Sequence, residues 1–344
     1  MSDSKRSVRS LIALVFLCCA GALIFPGTAP AEPSTLKLAT LAPKGSLYHR
    51  VLQDVGEAFR ASRGGSAKAT VYPDGVQGTE ADMVRRMRIG QLDGALLTVV
   101  GLNEIDPTVS GLQFMPMMFQ NWEEVDYVRE KLRSSLEESL AQKGFVVLFW
   151  GDAGWVHFFS KQALTQPEQF KRAKIFAWSG DNKQIGLMKS LGYQPVGLPI
   201  SDIVPALETG MVDVVPVVPI WALVGQFDRT ARHMLPIRWV PITGAAILRK
   251  ATYDGLGPAA RDAIAVAARK AGDQLRAHRV RQDEESIAAM KSRGLEVAMV
   301  TPEIAKAWQG LAEQAWPQVR GTMVPAEIFD RVKALLTEYR ATRK

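Results

Sequence analysis

Two stretches, GQLDGALLTVV (90–100) and GMVDVVPVVPI (210–220), decide how this chain is read. Each starts at a glycine that ends a helical pattern, runs two residues to an aspartate, and continues as an apolar, β-rich strand. Asp93 and Asp213 at these points read as helix-to-strand turn formers rather than acid catalysts. Around the first stretch lie a strand at 36–39, the loop 41–45, a helix capped by Ser46 and running to about Ala61, and a strand at 67–72. The turn Pro73-Asp74-Gly75 and a helix from Thr79 to about Ile89 then lead into a third strand at 94–99. Around the second stretch the order repeats: a strand at 174–177, helices at 181–191 and 201–207, and a β run at 212–218. Repetition of one α/β design predicts two lobes of like construction, each built on a largely parallel sheet.

Three segments are expected to join the lobes. The β-rich runs 145–151 and 155–160 are separated by Asp152-Ala153-Gly154, read as the first crossing, and 238–248 is read as another. A helical pattern over 258–293 carries Ile264, Ala267, Ala268, Ala271 and Leu275 on one stripe and stops at Gly294. At 1.5 Å per residue such a helix runs roughly 50 Å, more than one lobe needs, so it is expected to span both. The resulting division is a signal over 1–31, lobe I over 32–152 and 239–279, and lobe II over 153–238 and 280–344.

Composition agrees with a folded, exported domain. The 344 residues are 47% apolar and 22% charged, which supplies a core and excludes a disordered tail or a polytopic membrane protein. Lys5, Arg6 and Arg9, the apolar run 11–25 and Ala29-Pro30-Ala31 form the three parts of a secretory signal, with cleavage expected after Ala31. Both cysteines, Cys18 and Cys19, fall inside that run, so the mature chain has no disulfide, thiolate nucleophile or cysteine metal site. Loss of Asp3 and the three basic residues lowers the formal charge of +7 by two, a modest excess that does not call for nucleic acid.

Catalytic apparatus is thin. His49, His157, His233 and His278 are scattered without metal-ligand spacing, and there is no nucleophile elbow, phosphate-cradling glycine loop or zinc motif. No cofactor or metal is expected, and the chain is read as a binder rather than an enzyme. Trp150, Trp155, Phe158, Phe159, Phe176, Trp178 and Trp221 instead gather at strand ends and crossings, where open α/β sheets bind ligands.

With these come YPDGVQGTEADMVRRMRIGQLDGALLT (72–98), FMPMMF (114–119), KIFAWSGD (174–181) and LGYQPVGLPISDIVPALETGMVDVV (191–215), followed by long terminal helices. In that order, over nearly the whole mature chain, they resemble the dicarboxylate-binding-protein-like solute-binding proteins of tripartite ATP-independent periplasmic (TRAP) transporters. The resemblance implies a periplasmic solute-binding protein fold: two α/β lobes, hinge strands, a long helix spanning both lobes, and a small-molecule ligand handed to membrane permease subunits. It also implies an arginine that binds carboxylates, whose position here falls on Phe176. A second arginine position falls near Val156 and an amide position near Val217. All three are apolar, and a buried carboxylate without a paired cation costs several kcal/mol.

The ligand is therefore expected to be more apolar than a C4 dicarboxylate. Phe176 and Trp178, two residues apart on one strand, point to one side and form a wall. Trp155, Val156, Ile200, Val215, Val217 and Trp221 extend it, Leu41, Gln77 and Thr98 face it from lobe I, and His157 is a further polar group. Alternatives are a carboxylate held from Lys44, Lys161 or Arg85, a periplasmic lipid or sterol-like carrier that works without a TRAP permease, and a periplasmic hydrolase.

Overall fold

The computed structural model describes residues 34–179 and 181–343, so the expected signal at 1–31 lies outside the described residues. Eleven strands are assigned among them: β1 (Thr35–Thr40), β2 (Lys68–Tyr72), β3 (Gly94–Thr98), β4 (Phe145–Trp155), β5 (His157–Ser160), β6 (Lys174–Trp178), β7 (Gln194–Leu198), β8 (Val214–Val217), β9 (His233–Leu235), β10 (Pro241–Arg249) and β11 (Glu296–Val297). They form two sheets, ordered β2-β1-β3-β10-β4 and β11-β9-β5-β8-β6-β7.

The repeated glycine-aspartate pattern accounts for the likeness of the two sheets. In the first, Asp93 N–H donates to the Lys37 carbonyl at 2.9 Å and the Asp93 carboxylate accepts from Lys37 N–H at 2.8 Å. In the second, Asp213 N–H donates to the Lys174 carbonyl at 2.8 Å and its carboxylate accepts from Lys174 N–H at 3.1 Å. The Asp93 and Asp213 carbonyls then accept from Arg249 and Lys161 on the antiparallel neighbour. Each aspartate thus fixes where a parallel strand starts and where its antiparallel partner lies, and β2-β1-β3-β10 matches β7-β6-β8-β5 pair for pair.

The first helix runs Leu47–Ser62 behind its Ser46 cap, and Thr79 forms a capping box with Asp82 ahead of Glu80–Arg88. The first crossing is corrected. Asp152-Ala153-Gly154 does not break the strand: β4 continues to Trp155 with Ala153 bulged, Ile242 pairing with Gly154 and Thr243 with Asp152. The chain changes sheet at Val156. It returns through 236–240, and the two crossings bond each other, Val156 N–H to the Val240 carbonyl at 2.9 Å and Trp239 N–H to the Val156 carbonyl at 3.1 Å.

The long helix Pro258–Lys291 buries Ala260, Ile264, Ala268, Ala271 and Leu275 against the first sheet with Leu36, Leu38, Val51 and Phe59. Ala267 is only half-buried. Beyond Leu275 the buried residues turn polar, and Met290 near the helix end enters the core of the second sheet. The stretch 280–344, expected in lobe II, contributes to the cores of both sheets. Trp308 of the helix Pro302–Thr322 packs with Phe158 and Phe170 in the second lobe, but the same helix places Val319 in the first lobe's core. After the turn at Gly321 (φ +90°), the helix Ala326–Ala341 buries Phe329, Val332, Leu335 and Leu336 in that first core. Arg340 fastens it there, pairing with the buried Glu124 at 2.7 Å.

Candidate ligand-binding cleft

Because parallel strands of both sheets end on the side where the crossings run, their carboxyl ends enclose a cavity of about 540 Å³. β1 delivers Leu41 to it, β3 delivers Thr98, β6 delivers Phe176 and Trp178, and β8 delivers Val217. Val156, Trp239 and Val240 come from the crossings, and Ile200 and Trp221 from the short helices that follow β7 and β8.

Eight of the twelve residues singled out from sequence therefore share this cavity: Leu41, Thr98, Val156, Phe176, Trp178, Ile200, Val217 and Trp221. The other four do not line it. Gln77 sits in a turn whose Gly75 and Gly78 line the cavity instead. Trp155 turns into the first lobe's core, its ring 5.1 Å from that of Trp122. His157 is buried with Nδ1 3.0 Å from the Ile237 carbonyl, and burial pushes its pKa down to about 4. Val215 is wholly buried in the second lobe's core opposite Phe159.

The aromatic wall has definite geometry. Phe176 and Trp178 lie 5.2 Å apart at 75°, and Trp178 and Trp221 lie 5.4 Å apart at 72°, so successive rings meet nearly at right angles. Phe176 is 2% exposed and also belongs to the second lobe's core, whereas Trp178 is only half-buried. Phe158, Phe170, Trp239 and Trp308, which also line the cavity, form a second aromatic group whose contacting rings have centroids 4.7 to 5.9 Å apart.

Charge in the cleft has one sign. Asp74, Glu80, Asp82, Glu104 and Asp181 line the cavity, and among the described residues no lysine, arginine or histidine does. Lys161 donates to the Leu207 carbonyl at 3.0 Å, Arg85 pairs with Asp82 on the surface, and Lys44 is not among the lining residues. None of the three supplies a cation to the cavity, which removes the support for a carboxylate held from those positions. The Glu80 carboxylate accepts from Thr98 N–H at 2.6 Å, Thr98 Oγ1 at 2.7 Å and Gly101 N–H at 2.9 Å; burial raises its pKa while these bonds act to lower it. Asp181 caps the helix Asn182–Ser190, accepting from Gln184 N–H at 3.0 Å. Burial raises its pKa, the Gln184 bond and Lys183 oppose the rise, and Glu104 from the other lobe adds to it.

Glu80, Asp181, Trp239 and Trp308 were not singled out from sequence as site residues. Asp181 reads only as the start of the helix at 181–191, and Glu80 only as part of the helix that starts at Thr79. Trp308 comes from a helix far along the chain from Phe158 of β5, on which it packs, and no local pattern carries that information.

A family description, bacterial extracellular solute-binding protein family 7, matches residues 38–321. The chain belongs to this family, the solute-binding proteins of TRAP transporters. Relatives include the 2,3-diketo-L-gulonate-binding periplasmic protein of Escherichia coli, 23% identical over 80% of this chain and 86% of that protein. The C4-dicarboxylate-binding periplasmic protein of Rhodobacter capsulatus is 22% identical over 90% of this chain and 92% of that one. A TRAP solute-binding protein of Sulfitobacter solved with bound β-D-galacturonate superposes with a TM-score of 0.79 at 19% identity, covering 88% of this chain and 99% of that one. One from Desulfovibrio desulfuricans with bound sn-glycerol-3-phosphate gives 0.78 at 17%, covering 88% and 97%. These likenesses agree with the two-lobed fold derived above.

Proposed function

We propose that this chain is exported to the periplasm, captures a small organic molecule with an apolar or aromatic body between its lobes, and hands it to the membrane subunits of a TRAP permease. Lobe I in this reading comprises 34–155, 241–279 and the C-terminal helix, and lobe II comprises 157–239 with the end of the long helix. Family membership, the periplasmic relatives and the signal pattern at 1–31 support export and capture.

The observation that carries the ligand class is the cavity lining. The positions at which the resemblance places arginines and an amide hold Phe176, Val156 and Val217, and no other described basic side chain takes their place. A carboxylate entering this cleft would lose its hydration and meet acids and aromatic rings, without the bidentate partner that a guanidinium supplies. An apolar body would gain burial against Trp178 and Trp221. Calorimetry with β-D-galacturonate and with succinate tests the reading. Neither is expected to give saturable heat, and tight, salt-sensitive binding of either would overturn it.

A further inference from the structure

The capture reading leaves open what the acids of the cleft are for. Three of the five are already engaged, Glu80 by three donors from Thr98 and Gly101 and Asp82 by Thr79 in its capping box and by Arg85. The third, Asp74, accepts from Lys44 N–H at 2.9 Å on the exposed side. Asp181 differs, because it is buried, its Oδ1 holds one backbone N–H, and no donor among the described residues is assigned to its second carboxylate oxygen. It stands just beyond the end of β6, the strand that carries Phe176 and Trp178, and Glu104 lines the same cavity from lobe I.

Resting on the capture reading, we infer that the ligand carries a positive charge, a protonated or quaternary amine on an apolar or aromatic body. The amine would sit against the Phe176, Trp178 and Trp221 rings, with Asp181 as its counter-ion. Rings meeting near right angles present faces and edges around one corner, and the negative face of an indole attracts a cation. Burial favours the protonated form of Asp181, and Glu104 adds to that tendency; a bound cation relieves both. Lys183 neighbours Asp181 but is exposed and does not line the cavity. A neutral sugar fits less well, since the mostly apolar lining leaves few partners for its hydroxyls.

Phenethylammonium, 2-phenylethanol and 3-phenylpropionate share one phenyl body and differ in charge. Titration calorimetry is expected to find the amine at least about tenfold tighter than the alcohol, and no saturable heat from the acid. Asp181→Asn keeps a residue that caps helices well, so the melting temperature should hold while the amine falls to within about twofold of the alcohol. Equal or tighter binding of alcohol or acid, no loss in Asp181→Asn, or binding of none of the three overturns the inference. Capture has a separate readout. If alcohol or acid binds and shrinks the particle in small-angle scattering, the positive charge falls and capture stands. If no charge class of a whole-cell small-molecule extract raises the melting temperature, capture falls as well.

Discussion

At the scale of single residues, Phe176 and Trp178 show how one wall can serve two purposes. Phe176 is buried among Ile203, Ala206 and Val215 while one side faces the cavity, so its ring belongs to the fold as much as to the site. Phe176→Ala is expected to lower stability by about 3 to 5 kcal/mol, as a buried phenylalanine deletion does, and to weaken ligand only secondarily. Trp178 is half-buried and packs on Phe176 and Trp221 by ring edges, so Trp178→Ala should cost less stability and about 1 to 3 kcal/mol of binding. Thermal melts and calorimetry on both variants separate the roles. Equal loss of melting temperature in the two would show that Trp178 is core as well.

At the scale of elements, the end of β4 carries the strictest demands. Gly154 has φ +129°, and a Cβ there would stand 2.5 Å from a carboxylate oxygen of Asp283 on the long helix. Gly144, before β4, has φ +89° with open space around it. Gly154→Ala should therefore lower the melting temperature well beyond Gly144→Ala, which bears only backbone strain of about 1 to 3 kcal/mol. Similar losses in the two would mean that the long helix gives way easily. This place also marks the limit of what sequence made legible. The glycine-aspartate pattern is local, so it announced both sheets and the strand ends that build the cleft. The bulge at Ala153 is set from afar: Asp152 is drawn to Arg129 and Arg279, each at 2.5 Å, and β10 fixes the register opposite. An apolar, β-rich run interrupted by Asp-Ala-Gly looks like a loop until those partners are known. Trp155 and Val215 were expected in the cleft because strand ends point there. Their neighbours Trp122 and Phe159 place them in the cores instead.

At the scale of the whole molecule, the lobes are joined by the bonded crossings at Val156 and 236–240, by the long helix and by the helix Pro302–Thr322, which reaches both cores. Around the crossings that helix turns polar: Arg279 pairs with Asp126 at 2.6 Å and Asp152 at 2.5 Å, Gln282 donates to Tyr48 Oη at 3.1 Å, and Asp283 accepts from Trp155 N–H at 3.2 Å. A cleft ligand contacts both lobes fully only when they are closed, so protein purified with its native ligand should show a smaller radius of gyration than protein stripped of it. Equal radii would argue against hinge closure. The joint also predicts a pH dependence. Burial raises the Asp283 carboxyl to about 7, with the Trp155 bond and Arg238 opposing and Glu284 adding. Its contribution is therefore fully present below the unfolded carboxyl value near 4 and is lost as pH rises toward 7. His157, next to the Val156 crossing, has the opposite sign. Burial lowers it to about 4 and Arg238 acts the same way, so protons favour the unfolded chain as pH falls from about 6.5 to 4. Over one window the two groups offset each other. Asp283→Asn removes one side of that balance while leaving an oxygen to accept from Trp155. Relative to wild type, the variant should thus gain stability as pH rises from 4 to 7 and hold a constant difference above that. Melts that run parallel for both proteins from pH 4 to 8 would show that Asp283 does not titrate in this range.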